Sequence, residues 1–213
     1  MLIIFDLDDT IIDTSGAITP FKLREALQLL IERIDDAELA LLCALNESAP
    51  KTAHAIEEYG RMRSISQDKI RQAVLFLSMP LPENFVVPCT PNAKEILYYY
   101  AKKYPIALVT GGHPPFQREK LEKAGIEPSI FSKIAIPEDS VKKPFYQSLA
   151  KEFLAMPEEV WVCGDRVAMD LEPANALQFR TVHMRWGRGL KIRNEPWIDY
   201  SITQLNELRN IIP

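Results

Sequence analysis

The chain has 213 residues, 47% of them hydrophobic, and a formal net charge of −4 at pH 7. This length allows one domain with a substantial core, or such a domain with a small insert. The slightly acidic balance offers no basic surface for nucleic acid, and no apolar run approaches the roughly 18 residues that would cross a membrane. We expect no signal peptide, because no basic region precedes the first apolar run and Asp6 interrupts it.

The cysteines point to a reducing compartment. The chain has an odd number of cysteines, which are widely spaced and form no CxxC pair: Cys43, Cys89 and Cys163. This pattern argues against a disulfide framework or a zinc site and favours free thiols in the cytoplasm.

The chain begins with a short apolar run, Leu2 to Phe5, that is directly followed by Asp6, Asp8 and Asp9. A run of this kind fits a strand that is buried on both faces of a parallel sheet. Carboxylates crowded at the end of such a strand repel one another, and Mg²⁺ is the simplest cation to neutralise them. The alternative is a plain polar turn that closes a strand, and this stretch alone does not decide between the two.

A helical segment comes next. Leu23, Leu27 and Leu30 recur at helical spacing, and residues 17–79 contain no strand signal. Prolines at 80, 82 and 88 mark the return of the chain. We therefore predict a small all-helical cap domain over residues 15–82, with a four-helix bundle as its simplest form.

Strands and helices alternate in the remainder of the chain. The predicted strands are residues 106–109, 130–136, 160–163, 181–184 and 197–202, and the predicted helices begin near Pro91, Phe116, Lys143, Pro173 and Thr203. Such alternation predicts an α/β fold, with a parallel sheet that carries helices on both faces. The core domain would comprise residues 1–14 and 83–213.

Polar groups follow several of these strands, and the carboxyl ends of parallel strands meet at one edge of a sheet. The groups are, in chain order, Asp6 and Asp8, then Thr110 with Gly111 and Gly112, then Lys143, and finally Asp165 and Asp170. Together they supply what phosphoryl transfer needs: a nucleophile, an acid/base, a metal site and donors for phosphoryl oxygens.

Each group has a predicted role. Asp6 can attack phosphorus, and Asp8 can protonate the leaving oxygen and then activate water. The Thr110 hydroxyl and the amides of Gly111 and Gly112 can hold phosphoryl oxygens. Lys143 can offset the negative charge of carboxylates and phosphate. The remaining acids, Asp165 and Asp170, can complete the metal site.

The four motifs are Asp6-Leu-Asp8-Asp-Thr10, Thr110-Gly-Gly, Lys143-Pro144 and Gly164-Asp165-Arg-Val-Ala-Met-Asp170. In this order they resemble the haloacid dehalogenase superfamily over residues 1–185 at least. The resemblance implies a Rossmann-like core with a helical cap after the first strand, and Mg²⁺-dependent phosphate chemistry. Members that cleave carbon–halogen bonds generally lack the second aspartate, so Asp8 disfavours dehalogenase chemistry.

The resemblance also implies site residues. Asp6 would be the nucleophile, Asp8 the acid/base, and Thr110 and Lys143 the phosphate binders. Lys142 is also basic, but the family's lysine usually stands directly before the proline, which selects Lys143. Asp6, the backbone carbonyl of Asp8 and Asp165 would bind Mg²⁺, and Asp170 would join them or support them through water or Lys143.

We predict an enzyme that hydrolyses a small phosphorylated metabolite through an aspartyl-phosphate. A phosphomutase or phosphotransferase on the same scaffold is an alternative, and a non-catalytic protein that binds a phosphorylated ligand is another. We expect a cytoplasmic monomer or homodimer. The sequence does not name the substrate; Arg61 and Arg63 of the predicted cap could reach a leaving group or could form a solvated basic turn.

Overall fold

The computed structural model describes residues 1–193 and 195–213. Within them the chain forms two compact units, one of residues 1–15 and 84–213 and one of residues 16–83. In the part of the chain that the structure describes, no helix combines the length and the apolar character needed to span a bilayer.

The larger unit is built on a six-stranded parallel sheet. The strands are β1 (Leu2–Phe5), β2 (Ile106–Val109), β3 (Lys133–Ala135), β4 (Val160–Gly164), β5 (Arg180–Met184) and β6 (Tyr200–Ile202). They lie in the order β3-β2-β1-β4-β5-β6. This arrangement confirms the predicted α/β class with a parallel sheet.

The described residues form eight α-helices. Four belong to the smaller unit: α1 (Thr19–Leu30), α2 (Asp36–Ser48), α3 (Thr52–Met62) and α4 (Gln67–Phe76). The other four belong to the larger unit: α5 (Ala93–Ala101), α6 (Pro114–Lys123), α7 (Lys143–Glu152) and α8 (Glu172–Asn175).

The central strands are fully buried, as their apolar runs predict for a sheet that is covered on both faces. Alternate residues share a face, so Leu2 and Ile4 of β1 join Val160 and Val162 of β4 in one cluster. Tyr146 and other residues of the following helices complete this cluster. The core therefore holds β1 and its neighbours rigidly at the point where the polar motifs begin.

The smaller unit has a core of its own. Its cluster of buried residues comprises Leu23, Ala26, Leu27, Leu30, Leu42, Ala55, Ile56, Tyr59, Ile70 and Ala73. The Tyr59 hydroxyl donates to Glu38 at 2.6 Å, and the Arg63 guanidinium pairs with the same carboxylate at 2.9 Å. Arg61 pairs with Glu58. Both arginines of the predicted basic turn thus bind carboxylates of their own unit.

Element boundaries depart from the predictions where tertiary contacts compete with local pattern. The third strand covers only Lys133–Ala135 of the predicted residues 130–136, because the preceding segment forms a helical turn at Pro128–Ile130. The fifth helix begins at Ala93 and not at Pro91. Thr90, which precedes that proline, does not cap the helix; its hydroxyl donates to the carbonyl of Thr10 at 2.7 Å.

Candidate active site

The register of the sheet brings three motifs to one edge. Phe5 of β1 lies beside Leu108 of β2 and Cys163 of β4, so the three strands end at nearly the same level. Asp6 continues the ladder, since its N–H donates to the Cys163 carbonyl at 3.0 Å. The residues that follow these strands therefore emerge next to one another, as the topology of parallel strands requires.

Three acids form a buried cluster at this edge. Asp6, Asp165 and Asp170 are 6%, 2% and 1% exposed, and each offers a carboxylate oxygen within 4.8 Å of the others. Lys142 lies among them, with its Nζ 2.5 Å from an oxygen of Asp6 and 2.5 Å from an oxygen of Asp170. The backbone N–H of Arg166 donates to the second oxygen of Asp170 at 2.9 Å. These contacts fix the orientation of the cluster.

Burial and mutual repulsion disfavour the ionised forms of the acids in this cluster. Burial raises the pKa of Asp6 to about 7, and repulsion from Asp170 and Asp8 adds to the effect, while the attraction of Lys142 opposes it. Burial, together with Asp170 and Asp6, likewise raises the pKa of Asp165 well above its usual range. Burial disfavours the charge of Lys142, but Asp170 and Asp6 outweigh it and raise the pKa of the ammonium. The single ammonium therefore does not balance the three acids.

The donor set of the cluster fits a divalent cation. All three groups offer carboxylate oxygens, the ligands that Mg²⁺ prefers. With the acids ionised, Lys142 leaves a net charge of two negative units, which one Mg²⁺ would balance. Asp6, Asp165 and Asp170 are thus the side chains that could hold the metal, with the Asp170 carboxylate also engaged by Lys142.

Asp8 has a separate set of partners. Its Oδ1 accepts from the Thr14 hydroxyl at 2.5 Å and from Lys120 Nζ at 2.7 Å, and its Oδ2 accepts from Gln117 Nε2 at 2.9 Å. Burial alone would raise the pKa of Asp8, but the charge of Lys120 and the hydrogen bonds from Gln117, Lys120 and Thr14 together lower it. The Asp8 carboxylate is therefore held in its ionised form by partners outside the acidic cluster, and any metal contact of this residue would come from its backbone carbonyl.

Thr110, Gly111 and Gly112 follow directly after β2. Thr110 is completely buried, and its hydroxyl accepts a hydrogen bond from Gln117 at 2.5 Å. A Cβ on Gly111 would meet the Ser140 backbone at 3.0 Å, so only glycine permits this close approach. The Gly112 N–H donates to the Pro137 carbonyl at 3.1 Å. This corrects the prediction for Gly112, whose amide is used within the protein and not offered to a phosphate.

The lysine of the site is Lys142, and the prediction of Lys143 is wrong. Lys142 is 3% exposed and binds two of the acids, whereas Lys143 is exposed at the first position of α7. The buried face of this helix explains the difference: Tyr146 and Leu149 are buried, four and seven residues after Lys142. Phe145, three residues after Lys142, lies off that face and is 37% exposed.

Two further site residues were missed. Gln117 and Lys120 lie on α6, are 2% and 6% exposed, and both contact Asp8. The available signal was their position between Phe116 and Leu121 on the buried stripe of the helix. Polar side chains on such a stripe need buried partners, which the Asp8 carboxylate provides.

The family model described as haloacid dehalogenase-like hydrolase matches residues 1–178. The glyceraldehyde 3-phosphate phosphatase of Pyrococcus furiosus is 25% identical over 99% of this chain and 92% of its own. The protein of the same name from Methanocaldococcus jannaschii is 27% identical over 99% of this chain and 96% of its own. Among solved structures, the magnesium-bound Bacillus subtilis protein YfnB has a TM-score of 0.68 at 18% identity, covering 99% of this chain and 97% of that one. The chain belongs to the family of haloacid dehalogenase-like hydrolases.

Proposed function

We propose that this protein is a Mg²⁺-dependent phosphatase that hydrolyses a small phosphate monoester through an aspartyl-phosphate on Asp6. The observation that carries the proposal is that Asp6 and Asp8 have different sets of partners. Asp6 lies in a cluster suited to a cation, with Asp165, Asp170 and Lys142, while Asp8 is held apart by Lys120. A nucleophile at the metal and an acid/base beside it are the two groups that two-step hydrolysis requires.

In the first step a carboxylate oxygen of Asp6 attacks phosphorus, and the bond from phosphorus to the ester oxygen breaks. That oxygen takes a proton from Asp8, so the alcohol leaves neutral. Lys142 stabilises the negative charge around the phosphoryl group, and the Thr110 hydroxyl holds one of its oxygens. A bound Mg²⁺ would contribute further charge neutralisation and help to orient the phosphoryl oxygens.

In the second step Asp8 removes a proton from water, and the resulting hydroxide oxygen attacks the phosphoryl group on Asp6. The acyl-phosphate bond breaks, inorganic phosphate leaves, and Asp6 returns as a carboxylate. Asp8 ends the cycle protonated, ready for the next leaving group. The Lys120 charge and the hydrogen bonds that lower the pKa of Asp8 keep its carboxylate in the ionised form, which is the form that can accept this proton.

Glyceraldehyde 3-phosphate is our first choice of substrate. Two relatives that match 99% of this chain carry the name glyceraldehyde 3-phosphate phosphatase. A short phosphorylated aldehyde also agrees with the small phosphorylated metabolite that the sequence predicts. The proposal includes a cytoplasmic location, in keeping with the free Cys43, Cys89 and Cys163.

The test is a phosphate-release assay with glyceraldehyde 3-phosphate, phosphoglycolate, sugar phosphates and nucleotides, in Mg²⁺ and in EDTA. We expect phosphate release with Mg²⁺, loss in EDTA and recovery when Mg²⁺ is restored. Ca²⁺ should substitute poorly, because its larger and looser coordination misplaces the attacking carboxylate. Full activity in EDTA, or unchanged activity of the Asp6→Asn variant, would contradict the mechanism. Transfer of phosphate to an added sugar in preference to water would instead identify a phosphotransferase.

A further inference from the structure

Helix α6 contributes two buried polar side chains that have no assigned part in the two-step reaction. Lys120 lies with its Nζ 2.7 Å from Asp8 Oδ1 and 4.8 Å from the centre of the Phe116 ring. Gln117 directs its Nε2 to Asp8 Oδ2 at 2.9 Å, to Thr110 Oγ1 at 2.5 Å and to the Gly111 carbonyl at 3.1 Å. One helix thus contacts both the acid/base and the phosphate-binding loop.

The arrangement restrains Asp8 at both carboxylate oxygens. Among residues 1–193 and 195–213, Oδ1 accepts from Thr14 and Lys120, and Oδ2 accepts from Gln117 alone. Each carboxylate oxygen can accept about two hydrogen bonds, so Oδ1 is saturated while Oδ2 retains one lone pair. Rotation of the carboxyl group would break these contacts. Oδ2 is therefore the oxygen that can exchange a proton with a substrate.

Gln117 adds a second restraint, because it joins Asp8 to Thr110 through one nitrogen. Thr110 is the predicted ligand of a phosphoryl oxygen, and the leaving oxygen is bonded to the same phosphorus. A fixed separation between Asp8 and Thr110 thus sets the separation between the proton donor and the leaving oxygen. Errors of about 1 Å in such a separation can cost about 10²-fold in rate.

We propose that Lys120 and Gln117 are positioning residues that aim Asp8 Oδ2 at the leaving oxygen, with Lys120 fixing the carboxyl group and Gln117 fixing its distance from the phosphate site. The proposal rests on the proposed phosphatase function. It assigns Lys120 no contact with the substrate. Its consequence is that loss of Lys120 harms proton transfer selectively and leaves phosphate binding intact.

The dependence of rate on the leaving group tests this assignment. An alkyl phosphate needs a proton on its leaving oxygen, whereas 4-nitrophenyl phosphate has a good leaving group and barely needs one. We expect Lys120→Met to slow phosphorylation of Asp6 by an alkyl phosphate at least about tenfold, a part of the 10²–10⁴ that acid–base catalysis supplies. The burst of 4-nitrophenol, measured by rapid mixing, should keep its rate within about twofold, with KM unchanged for both esters.

Two further variants keep the test decisive. Gln117→Met should show the same preference for the aryl ester. It should also show a higher KM for both esters, because the Thr110 hydroxyl loses the hydrogen bond that Gln117 donates to it. Arg118→Met, which removes an exposed cation from the same helix, should match the wild type with both esters. If Lys120→Met does not fold, judged by circular dichroism, Gln117→Met alone decides the outcome.

An equal loss with alkyl and aryl esters, or no loss with either, would overturn the positioning role while leaving the phosphatase proposal in place. Absence of phosphate release by the wild-type protein from every ester would overturn the proposed function, and this inference with it.

Discussion

Replacement of Lys142 by methionine removes an ammonium that contacts two acids of the site, while an unbranched side chain of similar length keeps the packing. In the wild type, Lys142 Nζ lies 2.5 Å from Asp6 and 2.5 Å from Asp170, and the side chain is 3% exposed. The variant therefore leaves the buried carboxylates of Asp6 and Asp170 without this cationic partner. Lys143→Met is the matched control, because the neighbouring lysine is exposed.

The expected magnitude follows from the burial of the pair. Removal of one partner of a buried ion pair costs about 3–5 kcal/mol, because the other charge stays buried and unpaired. We expect a loss of this size in EDTA and a smaller one with Mg²⁺, which would supply positive charge to the same carboxylates. Lys143→Met should change the free energy of unfolding by less than about 0.5 kcal/mol, as surface substitutions do.

Lys142→Met should lose more activity than its loss of stability alone would cause. Without Lys142 the pKa of Asp6 rises above its already elevated value, so a smaller fraction is ionised and able to attack phosphorus. Loss of charge stabilisation at the phosphoryl group adds to this, and such contacts are worth about 10²–10³ in rate. We expect kcat/KM of Lys142→Met to fall at least about 10²-fold, and that of Lys143→Met to stay within about twofold.

The assay is urea unfolding of both variants in EDTA and in Mg²⁺, with phosphate release measured on the same preparations. Loss of activity in Lys143→Met with activity retained in Lys142→Met would contradict the assignment of Lys142 to the site. Equal, small effects of the two substitutions on stability would show that Lys142 does not carry the charge balance of the cluster.

Other substitutions test the acids and the smaller unit. In EDTA, wild type should lose stability relative to Asp6→Asn as pH rises from about 4 to 7, because a folded pKa of about 7 against 3.8 favours the protonated form. A pH-independent difference in urea unfolding would contradict this. Gly164→Ala should reduce Mg²⁺ affinity in a calorimetric titration, since its Cβ would lie 2.5 Å from that of Asp170; unchanged affinity would mean that the strand end adjusts freely. Tyr59→Phe should destabilise the protein by about 1–2 kcal/mol through loss of the bond to Glu38. Burial and Glu38 raise the pKa of Tyr59 to about 12, so ultraviolet titration should show this phenol ionising after exposed tyrosines.

Much of the fold was predictable because its signals are local. The apolar runs that became β1, β2 and β4 have clear ends, and the polar residues directly after them mark the edge that holds the candidate site. β3 was less predictable, since only three of its residues pair with β2 and its sequence lacks a strong apolar run. The right-handed crossovers of alternating α/β units then restrict the possible strand orders to a few.

The candidate site was predictable where a residue type at a strand end suffices, as for Asp6 and Thr110. It was not predictable where side-chain direction decides. Lys142 and Lys143 are chemically identical, and only the buried face of α7 directs the first inward. Lys120 contacts Asp8 although the two residues are 112 positions apart in the sequence. The sequence around Lys120 therefore does not indicate its partner.

The phosphoenzyme provides the most direct measurement of the central claim. Asp8→Asn should still accept a phosphoryl group from 4-nitrophenyl phosphate but release it slowly, because no base activates water. We expect one burst of product equal to the enzyme concentration, and a phosphorylated peptide that contains Asp6 in mass spectrometry after acid quenching. Asp6→Asn should show neither the burst nor the labelled peptide. A label on any residue other than Asp6, or full turnover by Asp6→Asn, would contradict the assignment of this carboxylate as the nucleophile.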